Sequence, residues 1–240
     1  MKKYFNPKKD NWASICERPL FDNTQIKKIV NDVFDNVKVN GDKALIQYTK
    51  KFDNIDLKEI SFDLERIDIS EIDIDPELKE SIDNAFNNIY KFHESQLFVS
   101  KKIETSKEVF CWQDKRPIEN VGLYIPGGTA PLFSSVLMLA IPAMIAKCKK
   151  VILCTPPEKN GNINKAILYS AKLCNVNTII NIGGAQAIAA MSLGTKNVPK
   201  VNKIFGPGNQ YVTSAKLNSI DYNTAIDMPA GPSELLVLAD

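Results

Sequence analysis

Histidine is nearly absent: the 240 residues hold one, His93. A catalytic zinc site usually draws on several imidazoles, so any such site would need most of its ligands from elsewhere. The five cysteines, Cys16, Cys111, Cys148, Cys154 and Cys174, form no C-x-x-C pair, and their odd number argues against a secreted disulfide framework. Cys148, Cys154 and Cys174 stand in apolar or helical contexts, where cysteine serves as a small core residue. Long apolar runs are missing too. None reaches the roughly 18 residues of a membrane span. No apolar h-region follows the lysines of "MKKYFNPKKDNW", so no signal peptide is expected and the cytoplasm is the default. Nor is there an excess of charge. Thirty basic against 28 acidic residues leave a net +2, which gives no support for nucleic-acid binding or for an anionic membrane surface.

What is present is ordinary globular composition, 44% apolar and 24% charged, in a chain long enough for one large or two modest domains. Charge divides it unevenly. Residues 1–117 carry 42 of the 58 charged side chains, and residues 118–240 carry the other 16. The first part reads as amphipathic helices. In "NTQIKKIVNDVFDNV", Ile26, Ile29, Val30, Val33, Phe34 and Val37 share one helical face, and Asp22 or Asn23 can cap it. A second helix is expected from Asp42 to near Phe52. Asp75 followed by Pro76 starts a third, whose stripe runs through Leu78, Ile82, Ala85, Ile89 and Phe92, with His93 at its edge. Charged "DLKEISFDLERIDISEIDIDPELKE" reads as a solvated surface. The stretch "KKIETSKEVFCWQDKRPIENVGLY" predicts two or three strands with charged exposed faces.

The second part alternates. Strands are expected over 120–125, 151–154, 178–180, 203–205 and 235–239, with helices over 134–148, 162–174, 184–193 and 208–218. Such alternation with short links predicts a mostly parallel sheet covered on both faces, a doubly wound, Rossmann-like α/β layer. Three strand ends carry glycine turns, "YIPGGTAP", "NIGGAQAIAA" and "FGPGNQYVTSAK". In an open parallel sheet these gather at the carboxyl edge, and each leads into a helix N-terminus, whose free N–H groups favour an anion such as pyrophosphate. The usual G-x-G-x-x-G fingerprint is missing, since "GPGNQY" has Tyr211 at the third glycine position.

Three blocks, "VGLYIPGGTAPLFSSVLMLAIPA", "GGAQAIAAMSLGTKNVPKVNKIFGPGNQYVTSAK" and "IDMPAGPSELLVLAD", resemble the histidinol dehydrogenase family in order and spacing across most of residues 118–240. Residues 1–117 resemble it more loosely, and Phe133 departs from the proline usual there. The resemblance implies a homodimeric, zinc-dependent enzyme that converts L-histidinol to L-histidine through the aldehyde by two NAD-linked oxidations. It implies NAD contacts at Tyr124, Gln186 and Asn209 and a substrate contact at Ser233. The bland alternatives for these residues are turn and helix-start roles, above all for Asn209 after a glycine. It also implies that the zinc ligands and the proton-handling Glu-His pair lie beyond Asp240. The expected organisation is a helix-and-strand region over 1–117 belonging to a larger domain. A Rossmann-like NAD-binding domain follows over 118–236, and 237–240 begin the return to the first domain. A nucleotide-binding or interaction module without catalysis is the alternative. An aldehyde-dehydrogenase-like enzyme is disfavoured, because no cysteine sits in an evident activating context.

Overall fold

The computed structural model describes residues 3–17, 23–127, 131–228 and 237. Its first half holds α1 (Trp12–Ile15), α2 (Thr24–Asn40), α3 (Asp42–Asp53), β1 (Ser61–Asp63), α4 (Pro76–Glu94), β2 (Ile103–Ser106) and β3 (Val109–Cys111). The second half continues with β4 (Asn120–Tyr124), α5 (Phe133–Ile145), β5 (Lys150–Cys154), α6 (Lys165–Leu173) and β6 (Thr178–Ile180). It ends with α7 (Gly184–Leu193), β7 (Lys203–Phe205), α8 (Gln210–Ser219) and β8 (Ala225–Ile226). Among the described residues no helix is long and apolar enough to cross a membrane.

The mostly parallel sheet expected from the alternation forms, with six strands in the order β1-β6-β5-β4-β7-β8. β4 lies between β5 and β7, parallel to both, and β6 and β8 extend the parallel pairing on either side. The chain winds outward from β4 first one way and then the other, so the winding reverses between β4 and β7. Side-chain alternation along each strand sorts the core into two layers. Val121, Leu123, Val151 and Leu153 face one layer, closed by α4, α5 and α6. Tyr124, Ile152, Cys154 and Ile180 face the other, closed by α2, α3, α7 and α8.

The helices of the first half follow their apolar spacing. Val30, Val33, Phe34 and Val37 of α2 are all buried, whereas Ile29, one step round the helix, stays 42% exposed. Asp75 caps α4 by accepting hydrogen bonds from the N–H groups of Glu77 and Leu78, each at 3.0 Å, and Pro76 occupies the first turn, where its missing N–H costs nothing. Ile82 of that helix is fully buried, but the expected stripe does not reach Phe92, which is 62% exposed near the helix end. His93 is half-buried, with its Nδ1 2.9 Å from Gln96 Oε1. β2 and β3 form an antiparallel pair, exposed along its length.

One expectation is corrected outright. The charged run before α4 is not only solvated surface: Leu57, Ile60, Leu64 and Ile72 are buried, and Ser61–Asp63 forms β1, antiparallel to β6. Its apolar residues are too irregularly spaced to announce a strand, and a docking edge in β6 supplies what local pattern does not. The charge boundary at residue 117 therefore marks a change of surface composition across a shared core, since α2, α3, β1 and α4 all pack on the sheet built by later residues. β8 is a short addition that the sequence pattern does not announce. The expected strand over 235–239 lies outside the described residues except for Val237, which is exposed.

Candidate functional site

The parallel strands end at one edge, and there the chain opens a cleft of about 490 Å3. β4 delivers Tyr124, the Gly183–Gly184 turn after β6 delivers Gln186, and the turn after β7 delivers Asn209; all three line this cleft. Ser233 lies outside the described residues, as does the middle of the first glycine turn, 128–130. The turns close tightly on one another. A Cβ on Gly183 would lie 2.6 Å from Pro156 Cβ, and a Cβ on Gly206 would lie 2.1 Å from the Tyr124 carbonyl oxygen. Gly206 also has φ +130°, which a side chain rarely adopts.

The three side chains are held differently. Tyr124 is 4% exposed, and its hydroxyl accepts a hydrogen bond of 3.0 Å from the Gly184 N–H. Burial pushes its phenol up to about 12, the Gly184 N–H pulls it down, and nearby Cys154 and Asp53 add to the rise. The hydroxyl therefore keeps its proton over the working pH range and can donate it in a hydrogen bond. Gln186 is 2% exposed, yet its side-chain amide makes no hydrogen bond with any described residue. The amide is not among the buried unpaired groups, so it opens onto the cleft and keeps its donors and acceptor free for a ligand. Asn209 Oδ1 caps α8 by accepting from the Tyr211 and Val212 N–H groups at 3.0 and 3.1 Å, which is the helix-start role. Its Nδ2 has no partner among the described residues and remains a donor.

The helix ends differ as well. Gly183 gives α7 no side-chain cap, so the first-turn N–H groups of Ala185 and Gln186 at the cleft wall lack an intrahelical partner. Behind the turn after β7, buried Lys216 donates to the Gly206 carbonyl at 2.8 Å and pairs with Asp227, whose carboxylate accepts from the Gly206 N–H at 2.8 Å. This clamp fixes the backbone that leads to Asn209.

The opposite wall comes from the first half of the chain. Ile29 and Val33 of α2 and Phe52 and Asp53 at the end of α3 face the glycine turns. Sequence reasoning missed these residues. The available signal was slight: Ile29 and Val33 read as members of one apolar helical face, and Phe52–Asp53 is an aromatic–acid pair at a helix end. Pro156 and Pro157, directly after β5, were also unannounced. For a metal, the described residues offer no group of three or more His, Cys, Asp or Glu placed to hold one.

Comparison with known proteins then gives concordant matches. The family model for histidinol dehydrogenase matches residues 16–240. The histidinol dehydrogenase of Bacteroides thetaiotaomicron is 53% identical over 240 residues, covering 100% of this chain and 56% of that protein. The chloroplastic histidinol dehydrogenase of Arabidopsis thaliana is 51% identical over 229 residues, covering 95% and 49%. The crystal structure of histidinol dehydrogenase from Elizabethkingia anophelis superposes with a TM-score of 0.87 at 50% identity, covering 96% of this chain and 53% of that one. The chain thus spans about half the length of the curated relatives it matches. With the family model matching nearly from end to end and relatives at about half identity, the chain belongs to the histidinol dehydrogenase family.

Proposed function

We propose that this chain supplies the NAD-binding side of a histidinol dehydrogenase, an enzyme oxidising L-histidinol to L-histidine through the aldehyde. The observation that carries the reading is the convergence of Tyr124, Gln186 and Asn209 on one cleft at the carboxyl edge of the sheet. The strand order supports it: outward winding from β4 in both directions is the doubly wound, Rossmann-like arrangement, whose ligands sit where the winding reverses.

The residues fit a dinucleotide on physical grounds. The uncapped N-terminus of α7 presents free N–H groups and a positive dipole end to a pyrophosphate. The unpartnered amide of Gln186 gains a partner in a ribose or carboxamide group. Asn209 Nδ2 donates while its oxygen holds α8, and the protonated Tyr124 hydroxyl donates while accepting from Gly184. When bound, NAD would supply the hydride acceptor, one molecule of NAD for each of the two oxidations. Zinc does not fit the described residues, which offer no ligand group, so every role assigned to Tyr124, Gln186 and Asn209 stands on the cofactor side. By the family resemblance Ser233 contacts substrate and the active form is a homodimer; the cytoplasm is the location expected from the sequence composition.

Calorimetric titration of the purified chain with NAD tests the reading, and saturable binding is expected. No binding at millimolar NAD would end it. NADH formation from L-histidinol and zinc is then followed for the chain alone and for the chain mixed with the carboxyl-terminal part of the Bacteroides relative. Turnover only in the mixture supports this assignment. Binding with no turnover in either makes the chain a nucleotide-binding module.

A further inference from the structure

We infer that Asp53 sets the dinucleotide preference of the cleft: its carboxylate accepts hydrogen bonds from the vicinal hydroxyls of the adenosine ribose and repels a 2′-phosphate, so that NAD is taken and NADP refused. The inference rests on the NAD-binding reading above.

The usual source of this discrimination is absent from its usual place. In doubly wound dinucleotide sites an acidic residue near the end of the second strand holds the ribose hydroxyls. Here the second strand is β5, and Thr155, Pro156 and Pro157 follow it directly. The next acid, Glu158, is engaged elsewhere, with its Oε1 accepting from Asn164 Nδ2 at 2.7 Å. It does not line the cleft, whereas Asp53 does, from the facing wall.

Asp53 is also out of place as a structural residue. It is the last residue of α3, where the negative end of the helix dipole disfavours a carboxylate. It has no hydrogen-bond or ion-pair partner among the described residues. The nearby cations are turned to other groups: Lys50 pairs with Asp56 at 2.7 Å, and Lys51 lies over the Phe52 ring. Although Asp53 is exposed at the cleft mouth, loss of water against the wall raises its carboxyl above the ordinary value, and its charge is felt at Tyr124. A carboxylate kept there without a protein partner suits neutral hydroxyl donors.

The surroundings favour the adenosine end of the cofactor. Phe52 is 54% exposed and is stacked on Tyr48, with ring centroids 5.6 Å apart and planes 2° from parallel. The exposed part of this braced ring offers apolar contact to a planar base, and Asp53 is its chain neighbour. Among the described residues no Lys, Arg or His lines the cleft, so a 2′-phosphate would meet one repelling charge and no compensating cation from them.

The test is calorimetric titration of the whole chain with NAD and with NADP, for the natural protein, Asp53→Asn and Asp53→Arg. Both substitutions suit a helix C-terminus, and circular dichroism checks that the fold persists. The natural chain is expected to bind NAD at least roughly thirtyfold more tightly than NADP. Asp53→Asn should weaken NAD about tenfold, the scale of a hydrogen bond to a charged group, and bring the two ligands within about threefold. Asp53→Arg should bind NADP more tightly than the natural chain does. Equal binding of both ligands by the natural chain, or an unchanged ratio in Asp53→Asn, overturns the role of Asp53 and leaves the NAD reading standing. Binding of neither ligand overturns both.

Discussion

The two fully described glycine turns of the cleft, Gly183–Gly184 before α7 and Gly206–Asn209 before α8, look alike in sequence and are held in opposite ways. The turn before α8 is satisfied from within the protein. Asn209 caps its helix, and Lys216 and Asp227 grip both the N–H and the carbonyl of Gly206. The turn before α7 is left open: its helix has no side-chain cap, and the amide of Gln186 faces the cleft with no partner among the described residues. A closed turn stores stability, and an open one keeps its hydrogen-bonding capacity for a ligand. Substitutions in the first should therefore be read in the unfolding curve, and substitutions in the second in the binding isotherm.

The largest effect is expected from Gly206→Ala. The new Cβ would meet the Tyr124 carbonyl oxygen at 2.1 Å in a backbone with φ +130°. Strain and overpacking together should cost about 3–5 kcal/mol, read as a lowered urea midpoint or as loss of soluble protein. A midpoint unchanged within error would mean that this turn is not held as described. Next comes Lys216→Met, which strips a buried cation from Asp227 and the Gly206 carbonyl. Breaking one side of such a pair costs about 3 kcal/mol, somewhat less here because Asp227 keeps partial access to water. Urea unfolding measures it, and NAD affinity measured well below the midpoint should fall less than stability does.

The open turn should behave the other way. Gln186→Leu removes an amide that no described residue satisfies, so stability should hold or rise slightly while NAD affinity falls roughly tenfold. Calorimetry and urea unfolding on the same sample decide between these, and a destabilised variant with unaltered affinity would reverse the comparison. The smallest and most selective change is Asn209→Ser. Serine caps a helix about as well as asparagine, so stability should stay within about 0.5 kcal/mol. The Nδ2 donor is gone, and NAD should bind roughly threefold to fivefold more weakly. Unchanged affinity would confine Asn209 to the helix-start role.

Much of the local architecture is legible in the sequence because it depends on neighbours in the chain. α7 begins at Gly184 and ends at Leu193 as its glycine start and apolar run require, and α4 begins at the Asp75–Pro76 signal. The four central strands announce themselves as apolar runs of three to five residues, since both of their faces are covered. Placing glycine turns at strand ends follows from the same logic, and it brings Tyr124, Gln186 and Asn209 to one edge from strand order alone.

The rest depended on partners distant in sequence. β1 exists because β6 offers it an antiparallel edge, and no alternation within "SFD" could say so. The cleft has a second wall because α2 and α3 dock on the α7–α8 layer through Val30, Val33, Phe34 and Leu45, carrying Phe52 and Asp53 across from Gln186. By itself the sequence determined the helices, the parallel strands and the glycine turns, because backbone sterics and apolar periodicity act over a few residues. Only the tertiary structure decided which turn is clamped and which is left open, and which carboxylate faces the cleft. Hydrogen bonds and burial between segments far apart in the chain leave no local pattern to read.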